Sequence, residues 1–446
     1  MEGFTHTAAF DWACLQGKTM QRRMARSSGN RCEKRCRKLL WLSLACSLCT
    51  AAVARADGVH VWTSQAGDTL EAKAVRLEED WVIMERADGQ TLEAPLRIFV
   101  QEDQKRLKHL FLTAEGGGEF HVPVGQIAGP VSSGDYSYFI YIPKSLRIDR
   151  EAPLLYFTAA GGGSQGQMHR LVKGAELTGW VVVCSVESRN GRSWDDYYAY
   201  RRENLEHIKE HVPIDGDRIY FSGTSGGARV AFRHAERTRG AGVLAIIAGT
   251  PGRDRPSTRG HYYFLTGARD YNRYEMAQAY REVHRNSAYR LHPGGHSPGP
   301  DWLVTEGIAW LEWQHQRQQR GPARDEYEER LLDWIDELGP PHPYRALYWT
   351  RLLLETGVNR SHHSYLNRLR AHLEEYEGNR LYDEGLSDIE RMAERIMRDG
   401  PRTAPSVFNH TQPDLVREVE SLEEKYRASP WISDILKNLK AATVGG

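Results

Sequence analysis

Between Tyr136 and about His315, short apolar runs alternate with longer stretches of helical periodicity. Strands that are apolar throughout and separated by helices are typical of a parallel sheet covered on both faces. The sequence therefore predicts an α/β domain over residues 135–320, with room for antiparallel edge strands at its start. The predicted strands are Ser137–Ile142, Leu154–Ala159, Trp180–Val186, Arg218–Ser222, Val243–Ala248, His261–Thr266 and Ala288–Leu291.

A different pattern precedes this domain. Over residues 57–112, apolar and polar residues alternate with a period of two and are interrupted by turn residues such as Asp88-Gly89. This alternation predicts a small β-barrel of five strands. Residues 113–134 are rich in glycine, which predicts a linker or the first strand of the next domain.

Residues 57–112 resemble the Sla homology domain. The resemblance rests on Trp62-Thr63-Ser64 followed by Gly67, on residues 82–90, and on a closing Asp103-Gln104 with Leu107. In eukaryotic adaptors this module binds protein sorting signals, so the resemblance implies a protein partner. The alternative is a packing or wall-facing accessory domain, because no binding residue is identifiable in the segment.

After Gly321 the sequence becomes rich in charged residues with helical periodicity. The pattern predicts an all-helical region over residues 321–446, and charged helices of this kind usually form a solvated packing unit. No chemistry is evident in this region. The predicted helices are Arg324–Leu338, Pro343–Thr356, Ser364–Tyr376, Ser387–Arg398 and Pro413–Tyr426.

The segment Gly223-Thr224-Ser225-Gly226-Gly227 lies between a predicted strand and a predicted helix. This is the context of a nucleophile elbow, in which a serine sits on a strained turn between strand and helix. A Cβ at Gly223 or Gly227 would collide with the adjoining strand or helix. The pattern predicts Ser225 as a nucleophile, which needs a base, an orienting acid and oxyanion donors.

The acid and the base are expected after later strands, in the order Ser, Asp, His. Asp270 follows the run ending in Thr266 and the turn at Gly267, with a helix cap as its alternative role and Asp254 as the fallback acid. His296 lies in a loop rich in glycine and proline, where packing does not easily explain it. His292 ends the last strand and is predicted to be structural.

Two backbone N–H groups are needed to stabilise an oxyanion. Gly226 directly follows the nucleophile, and Gly161 and Gly162 lie in the loop after a predicted strand. Glycines at these positions would let the main chain approach a reacting carbonyl, although a plain flexible loop is the alternative.

Residues 136–315 resemble an α/β-hydrolase of the secreted esterase and polyester-depolymerase-like group. The resemblance rests on residues 217–220 with the Gly223–Gly227 turn, on Gly267–Asp270, and on Gly294–Ser297. It implies that Ser225 is the nucleophile, Asp270 the orienting acid and His296 the general base. Many relatives have a histidine before the oxyanion glycines, where this chain has Ala160.

The loop after the third predicted strand is the expected substrate contact. It contains Asn190 and Trp194 in an aromatic and acidic context that could face a sugar or a phenolic group. An ordinary surface loop is the alternative. No metal-ligand spacing, phosphate loop or nucleotide fingerprint is present in the sequence, so no metal and no cofactor is expected.

The first 56 residues have the order of a secretory signal peptide. A positive cluster at Arg31–Lys38 precedes the apolar run Leu39–Ala54, and an A-x-A site ends at Ala56. A transmembrane anchor is the alternative, but sixteen apolar residues are short for one. Cleavage there would remove five of the six cysteines and leave Cys184 as a core thiol. We therefore expect an exported protein without a membrane anchor.

The sequence thus favours an exported serine hydrolase that acts on a small-molecule or polymeric carboxylic ester. A serine peptidase is an alternative, since the same three side chains cleave amides. An adaptor that works through residues 57–112 is another. Lys and Arg number 59, equal to Asp and Glu, so the overall charge does not point to nucleic acid.

Overall fold

The computed structural model describes residues 59–78, 81–110, 122, 124–146, 150–249, 260–283, 286–339, 341–399 and 413–444. The predicted signal peptide, its cleavage site at Ala56 and the fallback acid Asp254 lie outside the described residues. The chain divides into two compact units. The first comprises residues up to Leu107 with Asp336–His342, and the second comprises Lys108–Ile335 with Pro343–Gly446.

The first unit contains a four-stranded antiparallel sheet in the order β1-β2-β3-β4. Its inner face buries Trp62, Ala72, Val82 and Met84, each at most 1% exposed. The Trp62 indole donates to the carbonyl of Ala72 at 2.8 Å. The alternation of apolar and polar residues in the sequence therefore corresponds to a sheet with one buried face. Its strands are β1 (Val59–Thr63), β2 (Thr69–Glu78), β3 (Trp81–Glu85) and β4 (Thr91–Pro95), followed by helix α1 (Gln101–Leu110).

The structure gives four strands among the described residues of this unit, where five were expected. The alternating segment from Leu92 to Phe99 is not one strand, because β4 ends at Pro95 and a 3-10 helix covers Leu96–Ile98. Phe99 then forms an isolated antiparallel bridge with Ser64. Proline donates no ladder hydrogen bond, which fits the end of a strand at this position.

The second unit contains an eight-stranded sheet in the order β12-β11-β10-β9-β7-β8-β6-β5. The strands from β7 to β12 are parallel to one another, and β5 and β6 run antiparallel at one edge. All seven predicted strands are present, and β5 adds an eighth within the glycine-rich segment. They are β5 (Ile127–Ser133), β6 (Tyr136–Tyr141), β7 (Ala152–Ala159), β8 (Val181–Ser185), β9 (Ile214–Thr224), β10 (Gly242–Ile246), β11 (His261–Gly267) and β12 (Ser287–His292).

Helices cover both faces of this sheet, which is why its central strands are buried throughout. Neighbouring residues of β9 face opposite sides. Tyr220 stacks on Trp180, whose indole donates to Glu312 of a helix on that face, whereas Phe221 lies 5.6 Å from the ring of the helical residue His234. The predicted α/β architecture is confirmed. The helices of this part are α2 (Gln165–Thr178), α3 (Trp194–His211), α4 (Gly226–Thr238), α5 (Arg273–Val283) and α6 (Asp301–Gln316).

The C-terminal region is helical, as predicted, and it packs on the large sheet within the second unit. Arg345 forms a buried ion pair with Glu306 at 2.7 Å, and Arg290 of β12 pairs with Glu390. The region is thus joined to the sheet by buried charged groups as well as by apolar contacts. Its helices are α7 (Pro322–Leu338), α8 (Pro343–Thr356), α9 (Arg360–Glu374), α10 (Glu377–Asp399), α11 (Pro413–Lys425) and α12 (Pro430–Val444).

Within the described ranges, no helix has both the length and the apolar character that crossing a membrane requires. Cys184 lies in β8 with no exposed surface, and burial raises the pKa of its thiol to about 12. The thiolate is the reactive form of cysteine, so this thiol is inert at neutral pH.

Candidate active site

Ser225 occupies a strained turn between β9 and α4. Its φ is 54° and its ψ is −124°, a backbone conformation that residues with a side chain rarely adopt. Its backbone N–H donates to the carbonyl of Ile246 at 2.9 Å, which fixes the turn against the end of β10. The side chain is thereby placed at the carboxyl edge of the sheet, as a nucleophile elbow requires.

The glycines two residues either side of Ser225 are sterically necessary. A Cβ on Gly223 would lie 2.5 Å from the backbone of Gly227. A Cβ on Gly227 would lie 2.3 Å from the carbonyl oxygen of Thr158 in β7. These separations are far below any normal contact, so a side chain at either position would collide with the backbone, as the sequence predicts. The motif is part of a real turn in this chain.

Ser225, His296 and Asp270 are joined by two hydrogen bonds in series. The Nε2 atom of His296 lies 3.0 Å from Ser225 Oγ, and its Nδ1 atom lies 3.0 Å from Asp270 Oδ1. Asp270 is fully buried, whereas the His296 side chain is 26% exposed. A carboxylate can only accept a hydrogen bond, so Nδ1 carries the proton and Nε2 is left to accept from the serine hydroxyl. The structure thus brings together all three residues that the sequence predicted.

The loop that carries Asp270 is fixed by Asn272. The Asn272 backbone N–H donates to Asp270 Oδ1 at 2.8 Å, and its side-chain amide donates to the carbonyl of Ile247 at 2.8 Å. Arg229 of α4 contacts the Asn272 oxygen at 3.3 Å and pairs with Glu275 at 2.6 Å. The hydrogen bond with Glu275 raises the pKa of Arg229. Asp270 is therefore held by a hydrogen-bond network that also includes α4, the helix that begins directly after Ser225.

His292 has a structural position, as expected. It is 2% exposed, and its Nε2 atom lies 2.8 Å from the carbonyl oxygen of Ser297. Burial lowers the pKa of His292, which favours the neutral ring. A neutral Nε2–H can donate to that carbonyl and close the loop that presents His296. His292 thus supports the candidate base without touching the nucleophile.

The three predicted oxyanion donors differ in their surroundings. Thr224 pairs with Ala159, so the loop containing Gly161 leaves the sheet beside the loop containing Gly226. Gly226 begins α4, where the first N–H groups have no partner within the helix. The N–H of Gly162 donates to the carbonyl of Ala159 at 3.0 Å and is therefore engaged in a turn. Gly226 and Gly161 are the better placed candidates in this conformation.

Asn190 lies directly over the nucleophile turn. A Cβ added to Gly226 would lie 2.0 Å from the Asn190 side-chain oxygen. The Asn190 backbone N–H donates to the carbonyl of Ala160 at 2.8 Å, which fixes this loop to the glycine loop. The amide N–H of a carboxamide at this place can donate to an oxygen of an ester bound at Ser225.

Trp194 lies farther from the nucleophile than Asn190. It is the first residue of α3, 39% exposed, and its ring lies 5.1 Å from the guanidinium of Arg233. Arg233 is seven residues after Gly226, which corresponds to about 10 Å along the helix axis. Trp194 could therefore contact only a substrate that extends along α4.

Sequence reasoning missed two residues that contact the site, Tyr271 and Asn272. The Tyr271 ring stacks on the His296 imidazole, with 4.3 Å between centroids and 25° between planes. The available signal was the position of both residues directly after Asp270, in a loop otherwise made of small and charged residues. The described residues contain no cluster of three or more side chains suited to hold a metal ion.

No protein-family model and no curated protein matches the chain. Among solved structures, an esterase from Pyrobaculum calidifontis is 14% identical, with a TM-score of 0.34 over 43% of this chain and 87% of that one. EstE1, a carboxylesterase cloned from a metagenomic library, is 15% identical, with a TM-score of 0.31 over 47% and 95%. The S-formylglutathione hydrolase FrmB from Staphylococcus aureus is 11% identical, with a TM-score of 0.34 over 43% and 98%.

The identities are below 25% and the TM-scores below 0.5, so these similarities carry no argument about activity. Its strand order, with a nucleophile elbow after β9 and the expected order of Ser, Asp and His, corresponds to the α/β-hydrolase fold. Fold alone does not determine function, because many activities share this scaffold.

Proposed function

We propose that this protein is a serine hydrolase that cleaves carboxylic esters through Ser225, His296 and Asp270. The observation that carries the proposal is the chain of two 3.0 Å hydrogen bonds from Ser225 Oγ through the His296 ring to Asp270. The strained backbone of Ser225 supports it, because residues with such backbone angles cluster at active sites. Asp270 acts by orienting the imidazole and stabilising its charged form.

In the first half of the reaction, Ser225 Oγ attacks the ester carbonyl carbon while His296 Nε2 takes the hydroxyl proton. The carbonyl oxygen becomes an oxyanion that accepts from the N–H groups of Gly226 and Gly161. The bond to the alcohol oxygen then breaks, and His296 gives its proton to that oxygen. An alcohol leaves and an acyl-serine remains.

In the second half, water occupies the place of the alcohol. His296 Nε2 takes a proton from the water as its oxygen attacks the acyl-serine carbonyl. The bond to Ser225 Oγ breaks and the serine oxygen regains the proton from His296. The balance is one ester and one water converted to one acid and one alcohol.

A fluorophosphonate probe and p-nitrophenyl acetate test this proposal. We expect the wild-type protein to be labelled at Ser225 and to hydrolyse the ester. We expect both activities to disappear in Ser225→Ala and His296→Ala, while Ser297→Ala, one residue beyond the base, keeps them. A correctly folded wild-type protein that is neither labelled nor active would overturn the proposal and favour the adaptor alternative.

A serine peptidase would use the same three side chains, and a matched substrate pair separates the two activities. p-Nitrophenyl acetate and p-nitroacetanilide share an acyl group and differ in an ester or an amide bond. We expect turnover of the ester only. Comparable cleavage of the amide would favour the peptidase instead.

Export is a further part of the proposal. It is supported by the order of charged, apolar and small residues before Asp57. N-terminal sequencing of the exported protein should identify Asp57 as its first residue. A protein partner for the first unit remains a proposal that rests on the resemblance to the Sla homology domain.

A further inference from the structure

Tyr271 is an exposed aromatic residue with a fixed position beside the candidate base. It is 63% exposed, more than Trp194 at 39% and Tyr376 at 43%. One face of its ring covers the His296 imidazole, with 4.3 Å between the ring centroids. Burial of apolar surface does not explain a side chain of which most remains in water.

The backbone on either side of Tyr271 is anchored. Asp270 is fully buried, and Asn272 is 5% exposed and donates to the carbonyl of Ile247 at 2.8 Å. The tyrosine lies between these two buried residues. The backbone of Tyr271 is therefore held beside the acid loop, and from there its ring stacks on the His296 imidazole.

The proposed reaction places the leaving group next to this ring. His296 Nε2, which lies 3.0 Å from Ser225 Oγ, must reach the alcohol oxygen to protonate it. The atoms attached to that oxygen therefore pass close to the imidazole. A ring stacked on the imidazole flanks that group, whereas the acyl carbonyl faces Gly226 and Gly161.

We propose that Tyr271 forms the leaving-group subsite and selects esters of ring-bearing alcohols over esters of linear ones. The shared chemistry is a ring with a flat apolar face, either an aryl group or a pyranose, that can lie against the tyrosine. Aromatic contacts of this kind contribute beyond the area that they bury. The inference rests on the proposed esterase activity.

Three acetate esters of primary alcohols test it: benzyl acetate, methyl 6-O-acetyl-glucoside and hexyl acetate. The acyl group is constant, and the alcohols differ in carrying an aryl ring, a sugar ring or no ring. The variants are Tyr271→Ala, Tyr271→Phe and, as a matched control, Tyr376→Ala on an exposed tyrosine between α9 and α10. Thermal denaturation checks that each variant is folded.

We expect Tyr271→Ala to lower kcat/KM for at least one ring-bearing ester by about 5- to 10-fold and for hexyl acetate by less than about 2-fold. Tyr271→Phe should restore the preference, and Tyr376→Ala should not change it. The ester that responds identifies the ring as aryl or sugar.

Equal losses for all three esters would mean that Tyr271 only positions His296, and no loss would mean that Tyr271 does not contact the leaving group. Either result overturns the inference and leaves the esterase proposal intact. A wild-type protein that fluorophosphonate does not label overturns both.

Discussion

Ser225 is bound through its backbone N–H to the carbonyl oxygen of Ile246, at 2.9 Å, and this bond joins two strained turns. Ile247, the next residue, has a φ of 55°, which is unusual for a β-branched side chain. The carbonyl of Ile247 accepts from Asn272, whose own N–H binds Asp270. The elbow, the end of β10 and the acid loop are therefore one hydrogen-bonded structure. Strain of this kind costs about 1–3 kcal/mol per residue and persists only where the surroundings fix it.

Replacement of Asp270 by asparagine should abolish most of the activity without unfolding the protein. An amide of the same shape carries no negative charge to stabilise the imidazolium of His296. We expect kcat for p-nitrophenyl acetate to fall by about 10⁴-fold, as other Ser-His-Asp enzymes indicate. Asp217→Asn, on an exposed part of β9, serves as the control and should be fully active. A loss of less than about tenfold would show that Asp270 is not the orienting acid, and Asp254 would then be tested.

Gly227 in the nucleophile turn and Gly161 in the loop after β7 should respond differently to replacement by alanine. In Gly227→Ala the new Cβ would lie 2.3 Å from the Thr158 carbonyl oxygen, and only a backbone shift can relieve that contact. We expect a loss of about 3 kcal/mol or more in the free energy of unfolding, or insoluble protein. In Gly161→Ala nothing lies within 4 Å of the Cβ, so the change should stay within about 0.5 kcal/mol. Urea denaturation measures both, and equal effects would contradict the packing described for the elbow.

Much of the site could be predicted because its order along the chain is constrained. The strand before Ser225 and the turns before Asp270 and His296 are local patterns, and parallel strands bring their carboxyl ends to one edge. Asn272 and Tyr271 could not be assigned in this way. Their roles depend on Ile247 and His296, which are distant in sequence and become neighbours only in the folded chain.

Two differences in the fold have local causes. The segment from Leu92 to Phe99 alternates as a strand would, but β4 ends at Pro95 and the chain continues as a 3-10 helix. Helix α12 was not predicted, although Ser429-Pro430 is a helix-start signal and apolar residues follow at helical spacing. The position of the Trp194 ring could not be predicted either, since the pattern of its loop does not indicate that the ring packs against Arg233.

The buried ion pair between Arg345 of α8 and Glu306 of α6 should contribute strongly to holding the C-terminal helices on the α/β domain. Both side chains are 3% exposed. Arg345→Met leaves a buried carboxylate without its partner, so we expect a loss of about 3–5 kcal/mol in the free energy of unfolding. The double variant Arg345→Met/Glu306→Leu should recover most of it. Arg150→Met, which breaks the exposed pair with Glu326, should cost less than about 1 kcal/mol. A single variant as stable as the wild type would show that the pair does not hold α8 on α6.

Stability should fall in acid partly because of His261, at the start of β11. Burial, assisted by the nearby charges of Arg317 and His315, lowers the pKa of His261 from 6.5 to about 4. Below pH 6.5 the unfolded chain therefore binds a proton that the folded chain does not, and the stabilisation is lost as the pH falls from 6.5 to about 4. We expect the Tm of the wild type to drop over this range and His261→Gln to flatten the drop by a few degrees, whereas His169→Gln, on the exposed side of α2, should leave it unchanged. His234 and His292, whose pKa values burial also lowers, would keep part of the slope in every variant. A wild-type slope that survives in full in His261→Gln would show that this histidine is not protonated on unfolding in that range.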